Sequence, residues 1–250
     1  MENFFEDFGA SDSLSSQNER RNTGFIIPES GCMGIFDGHG KNGFRAVNWA
    51  SVYFSEQYEE DRPFNDKGMH ADFNGANTLI RKMIGNGAGG TTATIVKINR
   101  SNGSNSSIAC ANVGDSPALL VNPEEETFLE LTTMHNKTNL KEVARLGELG
   151  ISLAQDCTDG GTLSRSLGDF DKSEIMHRPS IRHQKLRKNG KNILIVATSG
   201  ALGAENYKNA AETAIEGYRR KKSMLSLANE LAASSALEEK TNARVFAALI

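Results

Sequence analysis

Short strands set close together constrain this chain more than any other feature. Residues 91–98, 108–113, 118–121 and 128–131 are apolar or β-branched runs. They are parted by a polar stretch at 101–107, by Gly114-Asp115-Ser116-Pro117 and by a turn at 123–126. Turns recurring every eight to twelve residues or so, about the spacing of an all-β fold, describe a meander and not strands alternating with crossover helices. Two earlier apolar runs, 24–27 and 32–36, are split by Pro28-Glu29-Ser30-Gly31, a hairpin signature. Residues 193–197 and 245–250 supply further buried strands. Helical spacing is read at 42–58 (Phe44, Val47, Ala50, Phe54), 76–84, 139–150 (Leu140, Val143, Ala144, Leu146, Leu149), 207–220 and 223–235. Residues 61–74 read as turn-rich and 151–190 as irregular. The helices include one pair between the first strands and the meander and another near the end. Each pair can cover an outer face, so the expected fold is α+β: an antiparallel β-sandwich flanked by helix pairs on both outer faces.

Composition narrows function by exclusion. A formal net charge of −3 over 250 residues, 24% of them charged, is too small to mark a nucleic-acid or acidic-membrane partner. Cys32, Cys110 and Cys157 form no close-spaced pair, and their odd number argues against a disulfide framework. Cys32 and Cys110 lie in apolar runs and read as reduced core residues. No window approaches the length of a membrane span, and the opening Met1-Glu2-Asn3-Phe4-Phe5-Glu6-Asp7 has neither a basic region nor an apolar stretch of signal length. The expected compartment is the cytoplasm or nucleus. Residues 1–17 read as a loosely ordered leading segment and 18–250 as a single domain without repeats or a low-complexity linker.

Chemistry concentrates in Gly34-Ile35-Phe36-Asp37-Gly38-His39-Gly40. A carboxylate at the mouth of a buried strand, followed by glycines flanking a histidine, suits a divalent cation. Asp37 offers charged oxygen, Gly38 lets its own carbonyl approach an ion, and His39 stands beside it as a candidate proton donor. A plain hairpin turn with a surface histidine is the alternative for this heptad taken alone.

Other blocks add to it: Gly90-Thr91-Thr92-Ala93, Ala111-Asn112-Val113-Gly114-Asp115-Ser116, Leu131-Thr132 with His135, Ser164-Arg165-Ser166-Leu167-Gly168-Asp169-Phe170, and the weaker Ala197-Thr198-Ser199-Gly200. In this order and over most of the chain, they resemble the metal-dependent protein serine/threonine phosphatases of the PP2C type, the PPM family. The resemblance implies an α-β-β-α sandwich with a binuclear Mg2+/Mn2+ site at one end. It also implies metal-binding roles for Asp37, the Gly38 carbonyl, Glu19 and Asp115, with His39 as a vestigial general acid.

Set beside that family, the chain lacks much of the expected charge. A Glu-Asp pair upstream of the Asp-Gly-His-Gly run is here Glu19-Arg20, and the position of the phosphate-gripping arginine is Ser15. The Asp of a late Asp-Gly is Ser199, and the Asp opening the final strand is Thr241. Met134 stands where an Asp precedes His135, Pro117 replaces an Arg, and Ala201-Leu202-Gly203-Ala204 lacks the usual Trp-Asp. Serine and threonine keep an oxygen but not its charge, and neutral oxygen binds hard cations weakly. The resemblance therefore implies a pseudophosphatase, a binding or regulatory module for phosphoproteins or other protein partners. Its expected cofactor is at most one weakly held Mg2+ or Mn2+. The alternative is a divergent active phosphatase relying on Glu19, Asp37 and Asp115. Simpler roles remain for individual residues: Asp115 as a turn cap, His135 as a packed histidine, Asp169 ordering its own loop and Arg165 pairing locally. Arg219-Arg220-Lys221-Lys222 reads as charge complementing a helix C-terminus.

Overall fold

Alternate residues of one strand part company: Ile193, Ile195 and Ala197 pack beneath a helix pair, while Leu194 and Val196 point between two sheets. Period-two alternation of this kind layers the whole molecule. The computed structural model describes residues 5–13, 22–60, 64–99, 106–151, 163–187, 190–236 and 243–250. Its strands are β1 (Asp7–Ser13), β2 (Asn22–Ile27), β3 (Cys32–His39), β4 (Gly90–Thr91), β5 (Ala93–Asn99), β6 (Ser107–Val113), β7 (Ala118–Asn122), β8 (Thr127–Glu130), β9 (Leu167–Gly168), β10 (Ser180–Lys185), β11 (Ile193–Ala197) and β12 (Ala243–Leu249). Its helices are α1 (Gly43–Tyr58), α2 (Asp66–Ile84), α3 (Leu140–Glu148), α4 (Tyr207–Arg219) and α5 (Met224–Ala236).

The first sheet runs β1-β12-β11-β7-β8 and the second β10-β6-β5-β3-β4-β9, with β2 also on β3. Every strand pair among these is antiparallel. Met33, Ile35, Val96, Ile108, Cys110, Leu194, Val196 and Phe246 fill the space between the sheets. α4 and α5 cover the first sheet, and α1 and α2 cover the second. On that second face Phe54 stacks on Phe36 at 5.8 Å and meets Phe73 edge-on at 5.0 Å. The expected α+β sandwich with helix pairs on both outer faces is what the chain forms.

Some boundaries differ from the sequence reading. α2 begins at Asp66 and not near Ala76, because Asn65 accepts a hydrogen bond from Gly68 N at 3.0 Å. Met69, Phe73, Ala76 and Ile80 then line one buried face, a period obscured by the charged residues and glycine between them. Asp7–Ser13, read as part of a loose leading segment, is an edge strand on β12. Gly9 permits this: a Cβ there would lie 2.2 Å from the Leu225 backbone of α5. β10 falls within the stretch read as irregular. It is an edge strand on β6 whose side chains are half-buried or exposed, so it carries little apolar signal.

α3 stands outside the two pairs. Its cap Asn139 accepts from Lys141 N at 3.0 Å and donates to Met134 O at 2.7 Å, tying the helix to the 134–136 segment. Asn139→Ala is expected to lower the free energy of urea unfolding by about 1 kcal/mol. An unchanged midpoint and slope would mean that this end of α3 is held by something else.

Candidate functional site

Three chain segments meet at one end of the sandwich. Asp37 lies near the end of β3, Asp115 in the turn between β6 and β7, and Ser199 just after β11. The Ser199 hydroxyl lies beside both carboxylates and works to lower each. The Asn136 side chain also lies beside Asp115 and works to lower it. The Asn136 carbonyl accepts from Thr138 N at 3.0 Å and Oγ1 at 2.7 Å, which leaves its amide to donate toward Asp115. Burial, followed by the charge of Asp115, pushes Asp37 up to about 7, against the lowering influence of His39 and Ser199. Burial likewise raises Asp115.

Thr92 braces this arrangement. Its Oγ1 accepts from Asp37 N at 3.1 Å and lies 2.7 Å from Ser116 Oγ, while Thr92 N donates to Asp37 O at 2.9 Å. Thr94 Oγ1 donates to Ser116 O at 2.7 Å. The threonines of this block thus hold the Asp37 backbone against the β6–β7 turn, a structural role.

His39 is turned toward Asp169. Its Nε2 lies 2.6 Å from Asp169 Oδ2, and Ser166 Oγ donates to the same oxygen. Burial would raise Asp169, but the His39 bond outweighs it and the carboxyl sits below its usual range. An ionised Asp169 accepts, so Nε2 carries the proton. The Nδ1 atom is buried and has no hydrogen-bond partner among the described residues. Close backbone approach makes the contact possible: a Cβ on Gly90 would come within 2.3 Å of Leu167 O. Asp169 follows Gly168 at φ 93° and itself adopts φ 49°, a left-handed conformation that aspartate tolerates better than most residues. The sequence reading placed Asp169 in its own loop. The structure makes it the partner of a histidine on β3, which no local signal disclosed.

A second polar group is buried nearby. Glu142 of α3, 4% exposed, accepts from Ser164 Oγ at 2.7 Å, from Arg145 Nη2 at 3.1 Å and from Arg165 Nη2 at 2.5 Å. Burial would raise Glu142, but the Arg165 and Ser164 bonds pull it down to about 2. Arg165 therefore pairs with a carboxylate, but not locally as the sequence suggests: its partner is on a different element. His135 is fully buried, with Nε2 2.8 Å from Ser180 Oγ. Burial and then the Arg165 charge hold it down at about 3, so it is neutral at pH 7. It is a packed histidine. Met134 receives Tyr207 Oη at 3.6 Å from its sulfur.

Glu19, Arg20, Ser15 and Thr241 lie outside the described residues, as does Cys157. Of the sequence-derived candidates, Asp37, Gly38, His39 and Asp115 come together, with Ser199 beside the carboxylates. Among the described residues no group of three or more His, Cys, Asp or Glu side chains is placed to hold a metal ion. Elsewhere the basic run is engaged in ion pairs: Arg219 with Glu126, Arg220 with Glu216 at 2.6 Å and Lys222 with Glu230 at 2.6 Å. No described helix is long and apolar enough to cross a membrane.

A two-sheet sandwich with carboxylates converging at one end defines the class. The family profile described as protein phosphatase 2C matches residues 17–244, and the chain belongs to that family. Solved structures share its fold at low identity. A phosphatase from Toxoplasma gondii superposes with a TM-score of 0.79 at 15% identity, covering 95% of this chain and 90% of its own. A bacterial serine phosphatase gives 0.70 at 16%, covering 98% of each. A PPM Ser-Thr phosphatase from Mycobacterium smegmatis gives 0.68 at 17%, also covering 98% of each. No curated protein sequence matches the chain.

Proposed function

We propose that this PP2C-family domain is a pseudophosphatase that binds phosphoproteins or other protein partners in the cytoplasm or nucleus, with little or no phosphatase activity. One observation carries the reading. Ser199 sets a neutral hydroxyl beside Asp37 and Asp115 at the position where the family resemblance expects a carboxylate. Two bridged divalent ions bring four positive charges into one pocket and are held only by several carboxylates. The described donors are the carboxylates of Asp37 and Asp115, the Gly38 carbonyl, and the neutral Ser199 and Asn136. They do not fit such a pair. They fit one hard cation, Mg2+ or Mn2+, held weakly by Asp37 and the Gly38 carbonyl with Asp115 nearby, and Glu19 is the remaining candidate to assist. His39, with Nε2 committed to Asp169, is poorly placed to protonate a leaving group through that nitrogen.

The test is an assay of the unmodified chain on a phosphopeptide and an aryl phosphate with Mn2+ present. The expected rate is near the no-enzyme background. A clear rate that Asp37→Ala abolishes would instead establish a divergent metal-dependent phosphatase, in which Glu19, Asp37 and Asp115 suffice.

A further inference from the structure

Beneath the turn that carries Ser199, the first sheet and its helix pair leave space unfilled. A cavity of about 170 Å3 lies there, with Ile195, Val245 and Leu231 forming an apolar floor and wall. Its size traces to small residues: Ala197, Ala201 and Ala210 face it with single methyl groups. Protein interiors seldom keep voids much larger than a water molecule, because unfilled space forfeits contacts and costs stability. An apolar cavity of about 150 Å3 is enough to admit benzene.

The described part of the rim is polar and neutral. Asn206, Asn209 and Thr213 project from α4 and the residue before it, and Ser234 from α5. Ser234 Oγ donates to Glu230 O at 2.7 Å and Asn206 Nδ2 to Glu205 Oε1 at 3.3 Å. The Asn209 amide and Thr213 hydroxyl are then the groups placed to orient a ligand. Among the described residues no charged side chain lines the space, and a charge buried there without a partner would be strongly disfavoured. The roof leads directly to the carboxylate cluster, since Ala201 N and Leu202 N both donate to Thr198 O, at 2.9 and 3.0 Å. This turn sets where the Ser199 hydroxyl lies.

We propose that this cavity binds a small neutral aromatic compound, one ring in size and bearing a hydroxyl or amide, and that its occupancy is transmitted to Ser199. The site depends on the packing of α4 and α5, so it stands whether or not the domain turns over phosphate. The experiment titrates the full 15N-labelled chain with benzamide, with benzoate as the charged control. Saturable shifts are expected at the amides of residues 197–202 and 206–213, with millimolar or tighter affinity, and benzoate should bind far more weakly. Ala201→Leu fills the cavity and should weaken benzamide at least about tenfold. Thr213→Val keeps nearly the same shape, removes the hydroxyl and should weaken it about fivefold. Should Ala201→Leu lose its cooperative melt, Thr213→Val on the half-exposed side of α4 decides alone. Absence of saturable shifts, shifts confined to another region, equal binding of benzoate, or undiminished binding in a folded variant would each overturn the proposal.

Discussion

Ser199→Asp combined with Thr241→Asp is expected to raise Mn2+ affinity by about a hundredfold or more, while either change alone gives under about tenfold. The resemblance assigns both positions to the same ion, so their charges act as one unit and their effects do not add. Calorimetric titration at pH 8 is the appropriate measurement, because Asp37 is pushed up to about 7 by burial and the neighbouring Asp115 charge. Below that pH a proton competes with the cation for Asp37. A second readout separates ligand charge from mere folding effects. Without metal, Ser199→Asp crowds another carboxylate beside Asp37 and Asp115, so the melting temperature should fall. Added Mn2+ should restore it by mass action. Turnover is expected to stay low even then, since Ser15 provides no arginine to grip phosphate, and adding Ser15→Arg tests that separately. The idea sinks if the folded double variant binds Mn2+ no better than the unmodified chain.

The second large effect is on stability. Glu142→Ala is expected to destabilise the domain by about 3 kcal/mol or more, because it leaves the Arg165 guanidinium half-buried without its main partner. The pH dependence has a definite sign. Glu142 is lowered from 4.5 to about 2 in the folded state: burial works against this, and the Arg165 and Ser164 bonds prevail. Its contribution is therefore fully present above about pH 4.5 and is lost as pH falls toward 2. The shift corresponds to about 3 kcal/mol. Urea unfolding of both proteins at pH 7 and at pH 3 measures it. The gap between them should shrink at the lower pH, and a gap independent of pH would rule out an ionic origin.

Glu142 also shows where sequence periodicity misleads. The apolar spacing Leu140, Val143, Leu146, Leu149 predicts which face of α3 is buried. Only Leu146 of these is buried, whereas Leu140 is 80% exposed and Glu142 is 4% exposed. The carboxylate goes inside because Ser164 and Arg165, on a distant segment, satisfy its oxygens. No local pattern can announce a partner that arrives from elsewhere in the chain. β10 was illegible for a related reason: an edge strand with exposed polar side chains is specified by the backbone groups of β6 and not by its own apolar content.

What the sequence determined by itself was the layering and the family. The continuous apolar run at 193–197 and the close-spaced runs from Thr91 to Leu131 leave a two-sheet sandwich as the way to bury both faces of the central strands. Asp37-Gly38-His39-Gly40 and the ordered blocks after it mark the kind of site such a sandwich carries. Residue identity alone also removed charge at Ser199 and Thr241. Only the tertiary structure decided what the surviving groups touch. It set Ser199 beside Asp37 and Asp115, turned His39 onto Asp169, and left space behind Ala197, Ala201 and Ala210. Alternation and composition act along the chain, within a few residues. Hydrogen-bond partners, burial and empty volume depend on distances between segments that only folding brings together.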